Sequence, residues 1–319
     1  MIGASTGGVR ALLDVVSRLP ADLAAAVFVV LHEHPLHQSR LPQLLASRGT
    51  LQASHALHGD TIVPGHIYVA PPDNHLMLGR GVVRVLRGPK ESGHRPAVDA
   101  LFRTAAASYG PRVIGIILTG QLDCGTAGML SIKARGGVGI VQNPHEAEAR
   151  SMPQSALDHA TIDHVATLEE LPALITRLVS EPAGEAPAGQ VSPALMRFEG
   201  KERGTPAMFV CPECQGTVSE ASLGDFTVFR CHTGHSFTLE SIDTEQANEV
   251  ERALWAAVRA LEEGATMSKR LASTAAGDLR EKFIEKAHAQ ARNAKVVRDL
   301  ILGGLATEKT QETDDDRTR

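Results

Sequence analysis

Four residues in the C-terminal third of the 319-residue chain carry its sharpest chemical pattern: Cys211-x2-Cys214 and, after sixteen residues, Cys231-x3-His235. Two short knuckles that each supply two donors suit a tetrahedral ion, and thiolate with imidazole suits zinc. Four protein ligands leave no open coordination position, so the expected role is structural rather than catalytic. His232 is an alternative fourth ligand, although an adjacent Cys-His pair closes a chelate less naturally than a three-residue gap. The plainer alternative is three unligated thiols in a small segment without structure.

A second constellation lies at the start of the chain. Gly3-Ala4-Ser5-Thr6-Gly7 matches the G-x-S-x-G turn, which exposes a serine hydroxyl between a strand and a helix. The helix that follows presents amides to a developing oxyanion. A phosphate-cradling loop is the rival reading, since Gly3, Gly7 and Gly8 also precede a helix. The dinucleotide fingerprint fails because Ser5 stands at its middle glycine. A short-chain dehydrogenase would need Tyr-x-x-x-Lys, but the residues four beyond Tyr68 and Tyr109 are Pro72 and Val113.

His32 directly follows the apolar run Ala26 to Leu31, and functional side chains collect past the carboxyl ends of parallel strands. It is the candidate general base for Ser5, with His34 close enough to compete. The turn Leu118-Thr119-Gly120-Gln121-Leu122-Asp123-Cys124-Gly125 follows another buried run. It reads either as a source of oxyanion amides and an acid, or as an ordinary loop with Asp123 near a helix cap.

The elements that must position these groups are short apolar runs alternating with helical periods. Ala26–Leu31, Val113–Leu118 and Val138–Val141 are apolar throughout, as in a parallel sheet covered on both faces. Helical spacing fills Val9 to Leu19, Ala97 to Tyr109 and Gly125 to Arg135, so residues 1–180 are expected to form an α/β doubly wound, mostly parallel sheet. Within Gly65 to Arg87, Ile67-Tyr68-Val69 and Val82-Val83-Arg84-Val85 look like short antiparallel pieces. Residues 181–206 read as a Pro- and Gly-rich linker, 207–243 as a zinc-ribbon-like segment, 244–303 as a helical hairpin broken near Gly264 or Ser273 to Gly277, and 304–319 as a disordered tail.

Composition narrows the classes further. A formal net charge of -5 offers no basic excess for nucleic acid or an anionic membrane. The longest clean apolar run, Ala24 to Leu31, is far short of the ~20 residues that span a bilayer. No secretory leader opens the chain, and the expectation is a cytoplasmic protein.

Taken in order, Ile2-Gly3-Ala4-Ser5-Thr6-Gly7-Gly8, Val30-Leu31-His32, Tyr68-Val69-Ala70-Pro71-Pro72-Asp73-Asn74-His75-Leu76, His94-Arg95-Pro96-Ala97-Val98-Asp99-Ala100-Leu101-Phe102, Leu118-Thr119-Gly120 with Gly125-Thr126-Ala127-Gly128-Met129, and Met152-Pro153 resemble the catalytic domain of the chemotaxis protein-glutamate methylesterases (CheB). The resemblance covers roughly residues 1–180. It implies hydrolysis of glutamyl methyl esters on chemoreceptors, whose helical bundles would be the partners, and often deamidation of receptor glutamines. Carried over, Ser5 is the nucleophile, His32 the base, and the amides around Thr6 and Gln121 the oxyanion region. No cofactor is implied for catalysis, while a zinc ribbon is similar to the C-terminal extension of some members.

Two departures qualify the resemblance. The family's acid falls at position 124, where this chain has Cys124, with Asp123 one residue earlier as the substitute. A thiol with an ordinary pKa of about 8.5 is a poor anionic partner for histidine, and the alternative reading is an impaired protein that binds receptor or signalling helices without turnover. The turn also begins at the third residue, whereas the family places apolar residues before it. The expectation is a start upstream of Met1 or a domain lacking its central strand. No receiver domain precedes the match within these residues.

Overall fold

A computed structural model describes residues 1–36, 38–186, 192–199 and 204–304. Parts of the expected linker and tail, residues 187–191, 200–203 and 305–319, lie outside the described residues. The chain divides into two units, Met1–Asp243 and Thr244–Arg319.

The first unit is built on a seven-stranded parallel sheet of β1 (Ile2–Ala4), β2 (Val27–Leu31), β3 (Gln52–His55), β4 (His66–Val69), β7 (Ile114–Ile117), β8 (Val138–Gln142) and β9 (His164–Ala166), in the order β3-β4-β2-β1-β7-β8-β9. Helices α1 (Gly8–Val16), α2 (Leu41–Arg48) and α6 (Leu171–Ser180) bury Leu12, Leu45 and Leu171 in one core layer. Helices α3 (Val98–Tyr109), α4 (Thr126–Lys133) and α5 (Ser151–His159) bury Phe102, Met129 and Met152 in the other. The doubly wound α/β expectation is met.

One of two alternatives falls, and one expectation is corrected. The domain does not lack its central strand: β1 has only three residues, yet Ile2 pairs with Val29 on one side and Ile116 on the other. Ile67-Tyr68-Val69 is not an antiparallel piece but belongs to β4, parallel to both β2 and β3. All three of its side chains are buried, which is what a covered parallel strand requires. Of the two pieces, Val82-Val83-Arg84-Val85 is antiparallel as expected, lying in β6 (Val82–Leu86), which pairs with β5 (His75–Gly79).

Within residues 181–206, Ser192 caps a short helix, α7 (Pro193–Phe198), by accepting the Leu195 amide. Beyond it, β10 (Thr205–Val210), β11 (Thr217–Leu223), β12 (Phe226–Cys231) and β13 (Ser236–Thr238) form a four-stranded antiparallel sheet. This ribbon packs on the parallel-sheet domain: Leu195, Phe198, Phe226 and Val228 share an apolar cluster with Ala127 of α4. Arg103 of α3 lies 5.6 Å from the Phe198 ring centre, and Arg135 pairs with Glu199 at 2.6 Å.

The second unit is dominated by α8 (Leu239–Thr274) and α9 (Asp278–Gly304). The break falls after Thr274, with Gly277 at φ 58 in the turn; Gly264 does not break the helix. A Cβ at Gly264 would stand 2.3 Å from Gln290, so its missing side chain permits close approach of the pair. Ser268 reaches Gln290 at 3.0 Å, while Ala265, Ala287 and Ala294 fill the seam. No helix among the described residues is long and apolar enough to cross a membrane.

Phe198 is 3% exposed and anchors the ribbon's docking. Phe198→Ala is expected to destabilise residues 193–238 by ~3 kcal/mol, the low end for deleting a buried phenyl ring. The readout is limited proteolysis: cleavage within that segment should accelerate about a hundredfold while the parallel sheet stays resistant.

Candidate active site

The sheet order reverses at β1, whose neighbours run off to either side through β2 and β7, and ligands bind at such switch points outside the carboxyl ends of strands. Ser5 follows β1, His32 follows β2 and the Leu118–Gly125 turn follows β7. Two backbone bonds extend the ladder past the strands: the Ser5 amide donates to the Thr119 carbonyl at 3.0 Å, and the His32 amide to the Ala4 carbonyl at 3.1 Å.

Glycines make the turns possible. Gly7 adopts φ 75 as it enters α1, and the Gly8 amide closes the elbow on the Ser5 carbonyl at 2.8 Å. A Cβ on Gly120 would lie 2.1 Å from the Met152 sulfur and 3.0 Å from the Ser5 Cβ, so the β7 turn packs directly on the serine. Thr119 locks this corner, its hydroxyl donating to the Thr6 carbonyl at 2.9 Å and accepting the Ala149 amide at 2.8 Å. The amides of Thr6 and Gln121 have no intramolecular hydrogen bond among the described residues, whereas that of Gly120 is taken by Ala149.

Both ring nitrogens of His32 are shielded from solvent and lack a hydrogen-bond partner. Burial, and then the neighbouring His94, hold its pKa well below the ordinary histidine value, so the ring is neutral. His94 stacks on it with ring centres 3.8 Å apart and planes 13° from parallel, while its own Nδ1 lies 2.5 Å from the Ser92 carbonyl. His34 is exposed, and its Nδ1 accepts the Leu36 amide at 3.4 Å. His75 and His66 are structural. His75 bridges the Pro89 carbonyl and the Ala97 amide, and His66 reaches Ser54 at 2.9 Å.

Among the described residues no acid is hydrogen-bonded to His32. Cys124 is 1% exposed and burial raises its thiol pKa well above the ordinary value, despite hydrogen bonds to the backbone of Asp99 and Val98 at the start of α3. Asp123 is also buried, its Oδ1 without a hydrogen-bond partner, and Thr238 of β13 and Glu240 stand near it. The Thr238 hydroxyl is itself bonded to Ser241, and Asp123 Oδ1 and the His32 ring nitrogens are not bonded to one another. Asp99, which sequence reasoning left without a role, accepts the Gly128 amide at 2.7 Å and fixes α4 against α3. The stack on His94 was equally illegible, because nothing in spacing sets two rings face to face.

In the ribbon, the donor atoms of Cys211, Cys214, Cys231 and His235 all lie within 4.8 Å of one another. Cys214 and Cys231 sulfurs are 3.7 Å apart, and His235 Nδ1 stands 3.7 Å from Cys211 and 3.5 Å from Cys231. Ligands about 2.3 Å (sulfur) and 2.0–2.1 Å (nitrogen) from a tetrahedral ion would be ~3.8 Å (S to S) and ~3.5 Å (S to N) apart. The donor set therefore fits a zinc-sized ion. His232 is not part of the group; its ring packs over Gly216.

These features define a parallel α/β domain with a serine elbow and a neutral histidine at its switch point, carrying an antiparallel Cys3His ribbon. The profile of the CheB methylesterase family matches residues 1–175, and the chain belongs to that family. It is 39% identical over 176 residues to protein-glutamate methylesterase/protein-glutamine glutaminase 1 of Geobacter metallireducens, covering 54% of this chain and 48% of that protein. With the Pyrococcus horikoshii protein-glutamate methylesterase/protein-glutamine glutaminase the identity is 34% over 182 residues, covering 56% and 50%. The chain thus spans about half the length of the curated relatives it matches. The crystal structure of the Thermotoga maritima CheB methylesterase catalytic domain superposes with a TM-score of 0.53 at 32% identity, covering 56% of this chain and 96% of that one.

Burial first, and then the nearby acids Glu240 and Asp99, partly offset by the polar neighbour Thr238, leave Asp123 with a pKa of about 7, against an ordinary 3.8. The folded state therefore holds a proton that the unfolded chain releases, and this contribution to stability is full below pH ~4 and is lost as pH rises to ~7. Asp123→Asn removes that titration. Relative to wild type it should gain roughly 2–4 kcal/mol in denaturant melts on going from pH 4 to pH 8.

Proposed function

We propose that the chain hydrolyses γ-glutamyl methyl esters on the helical cytoplasmic bundles of chemoreceptors, and that it acts in the cytoplasm. The observation that carries this reading is the neutral, unpartnered His32 on the strand beside Ser5, in a chain of the CheB methylesterase family. Ser5 Oγ attacks the ester carbonyl as His32 takes its proton. The Thr6 and Gln121 amides receive the oxyanion, and His32 returns the proton to departing methanol. Water then cleaves the acyl-serine by the same route reversed. An amide in place of the ester would release ammonia, which accounts for glutamine deamidation by the same groups.

A buried base titrating well below the ordinary histidine value is ready to accept a proton at neutral pH, but without an anion behind it the imidazolium is poorly stabilised. Loss of the orienting acid costs about 10⁴ in turnover in serine triads, with residual catalysis left to the oxyanion amides and binding. The second reading, a receptor-binding protein without turnover, rests on the same Cys124. The deciding assay is methanol release from methylated receptor membranes. Wild type should release methanol slowly and Ser5→Ala not at all. Cys124→Asp would place a carboxylate at the amides opening α3, and should raise turnover by 10-fold or more while lowering the melting temperature beside Asp99. Silence from all three would move the function to binding.

We also propose that Cys211, Cys214, Cys231 and His235 hold one structural zinc. Such an ion would staple the two knuckles beside the small apolar cluster of Val218, Phe229 and Phe237. The four ligands leave no position for substrate, so no catalytic step is assigned to it. Elemental analysis of freshly purified, reduced protein should give about one zinc per chain, and Cys214→Ser should lower that well below one. No metal in the wild type would remove the proposal.

A further inference from the structure

The segment between β6 and α3 carries His94 into the site, and it is held from outside the sheet domain. Glu91 and His94 close a two-residue turn through paired backbone bonds of 3.1 and 2.9 Å. Its centre, Ser92 and Gly93, sits at φ 50 and φ 73. Left-handed backbone is costly for a residue with a Cβ, so Ser92 needs outside contacts to keep it there.

Those contacts come from the ribbon at both of its knuckles. From the second, the Ser92 amide donates to the Ser236 carbonyl at 2.7 Å, and the Ser236 amide returns to the Lys90 carbonyl at 3.2 Å. Ser236 immediately follows the ligand His235. From the first, Glu213, which lies between Cys211 and Cys214, pairs with Lys90 at 2.7 Å. Buried Glu91 pairs with Arg103 of α3 and lies in the field of Arg230 of β12. The end of the same ribbon strand, Thr238, stands near Asp123 in the turn that also carries Gln121.

We propose that the ribbon is a positioning module for the ester-hydrolysing site. Its last strand holds the Glu91–His94 turn so that the His94 ring stacks on His32, and metal binding at Cys211, Cys214, Cys231 and His235 is thereby coupled to the order of the base. His94 acts through His32 and is a positioning residue, supplying by packing the orientation that the absent acid does not supply by charge. The inference rests on the hydrolase and metal readings above, and on contacts that lie entirely within the Met1–Asp243 unit.

The test uses the full chain, zinc-loaded and after chelation, followed by hydrogen exchange. Metal removal should speed exchange of the Ser92 and His94 amides at least tenfold and leave β2 and β7 protected. Free exchange throughout the ribbon with Ser92 and His94 still protected would overturn the coupling. A second arm uses zinc-loaded Ser236→Pro, which removes one of the two strand bonds without touching a ligand. It should retain its zinc, expose Ser92 to exchange, and lower the rate of Ser5 modification by a fluorophosphonate at least tenfold. Unchanged exchange and unchanged labelling would overturn the proposal. If wild-type Ser5 is never labelled, the hydrolase reading falls, while the coupling is still decided by exchange alone.

Discussion

Two backbone hydrogen bonds, Ser5 to Thr119 and His32 to Ala4, fix how far apart the chemistry of this protein stands. Both lie one residue past the regular ladder, so they inherit the rigidity of a sheet without being spent inside it. For them to form, β1 must be central, flanked by β2 and β7, and covered on both faces. The small residues follow from the same constraint. A Cβ at Gly3 would come within 2.4 Å of Val98, and one at Gly8 within 2.7 Å of Ala4 and Leu31, so the elbow closes only because those side chains are missing.

Electrostatics in the crevice run against charge. Burial, ahead of neighbouring like charges, is the largest cause that favours neutral His32, a neutral Cys124 thiol and carboxyls at Asp99 and Asp123 whose pKa values rise to about 6 and 7. In such surroundings an anion persists only where amides or a cation are aimed at it, as Arg103 is at Glu91. Position 124 has backbone partners from the start of α3, but its side chain is a thiol. The place for an anion survives while the anion does not.

Much of the architecture was legible in sequence because its signals are local. The uniformly apolar runs became parallel strands, and Val9 to Leu19 and Ala97 to Tyr109 became α1 and α3 with shortened ends. Ile67-Tyr68-Val69 was misread because a three-residue apolar run next to a true hairpin carries no signature of its own direction. Gly264 was open to misreading for a related reason: a glycine that admits a partner helix looks, in sequence, like one that ends its own. In the site, Ser5 and His32 were visible from their place after strands. The surroundings of Asp123 were not, because Thr238 and Glu240, which stand near it, lie more than a hundred residues away in sequence.

That long-range contact bears on how a site without its acid can still be ordered. In a serine triad the carboxylate does two things to the histidine: it holds the ring in one plane, and it stabilises the positive charge when the proton arrives. The stack on His94 supplies the first and opposes the second, since a nearby imidazole lowers the pKa of His32 further. Orientation without charge leaves a base that is well placed and weakly basic. In the proposed reaction the barrier to attack is then set by how completely the Thr6 and Gln121 amides accept the oxyanion. Thr119 locks the two turns that carry those amides, and the ribbon residue Thr238 stands near Asp123 in the second of them. Under the proposed coupling, a metal held at Cys211, Cys214, Cys231 and His235 would influence that step from a distance, by ordering the ribbon strand that meets the His94 turn.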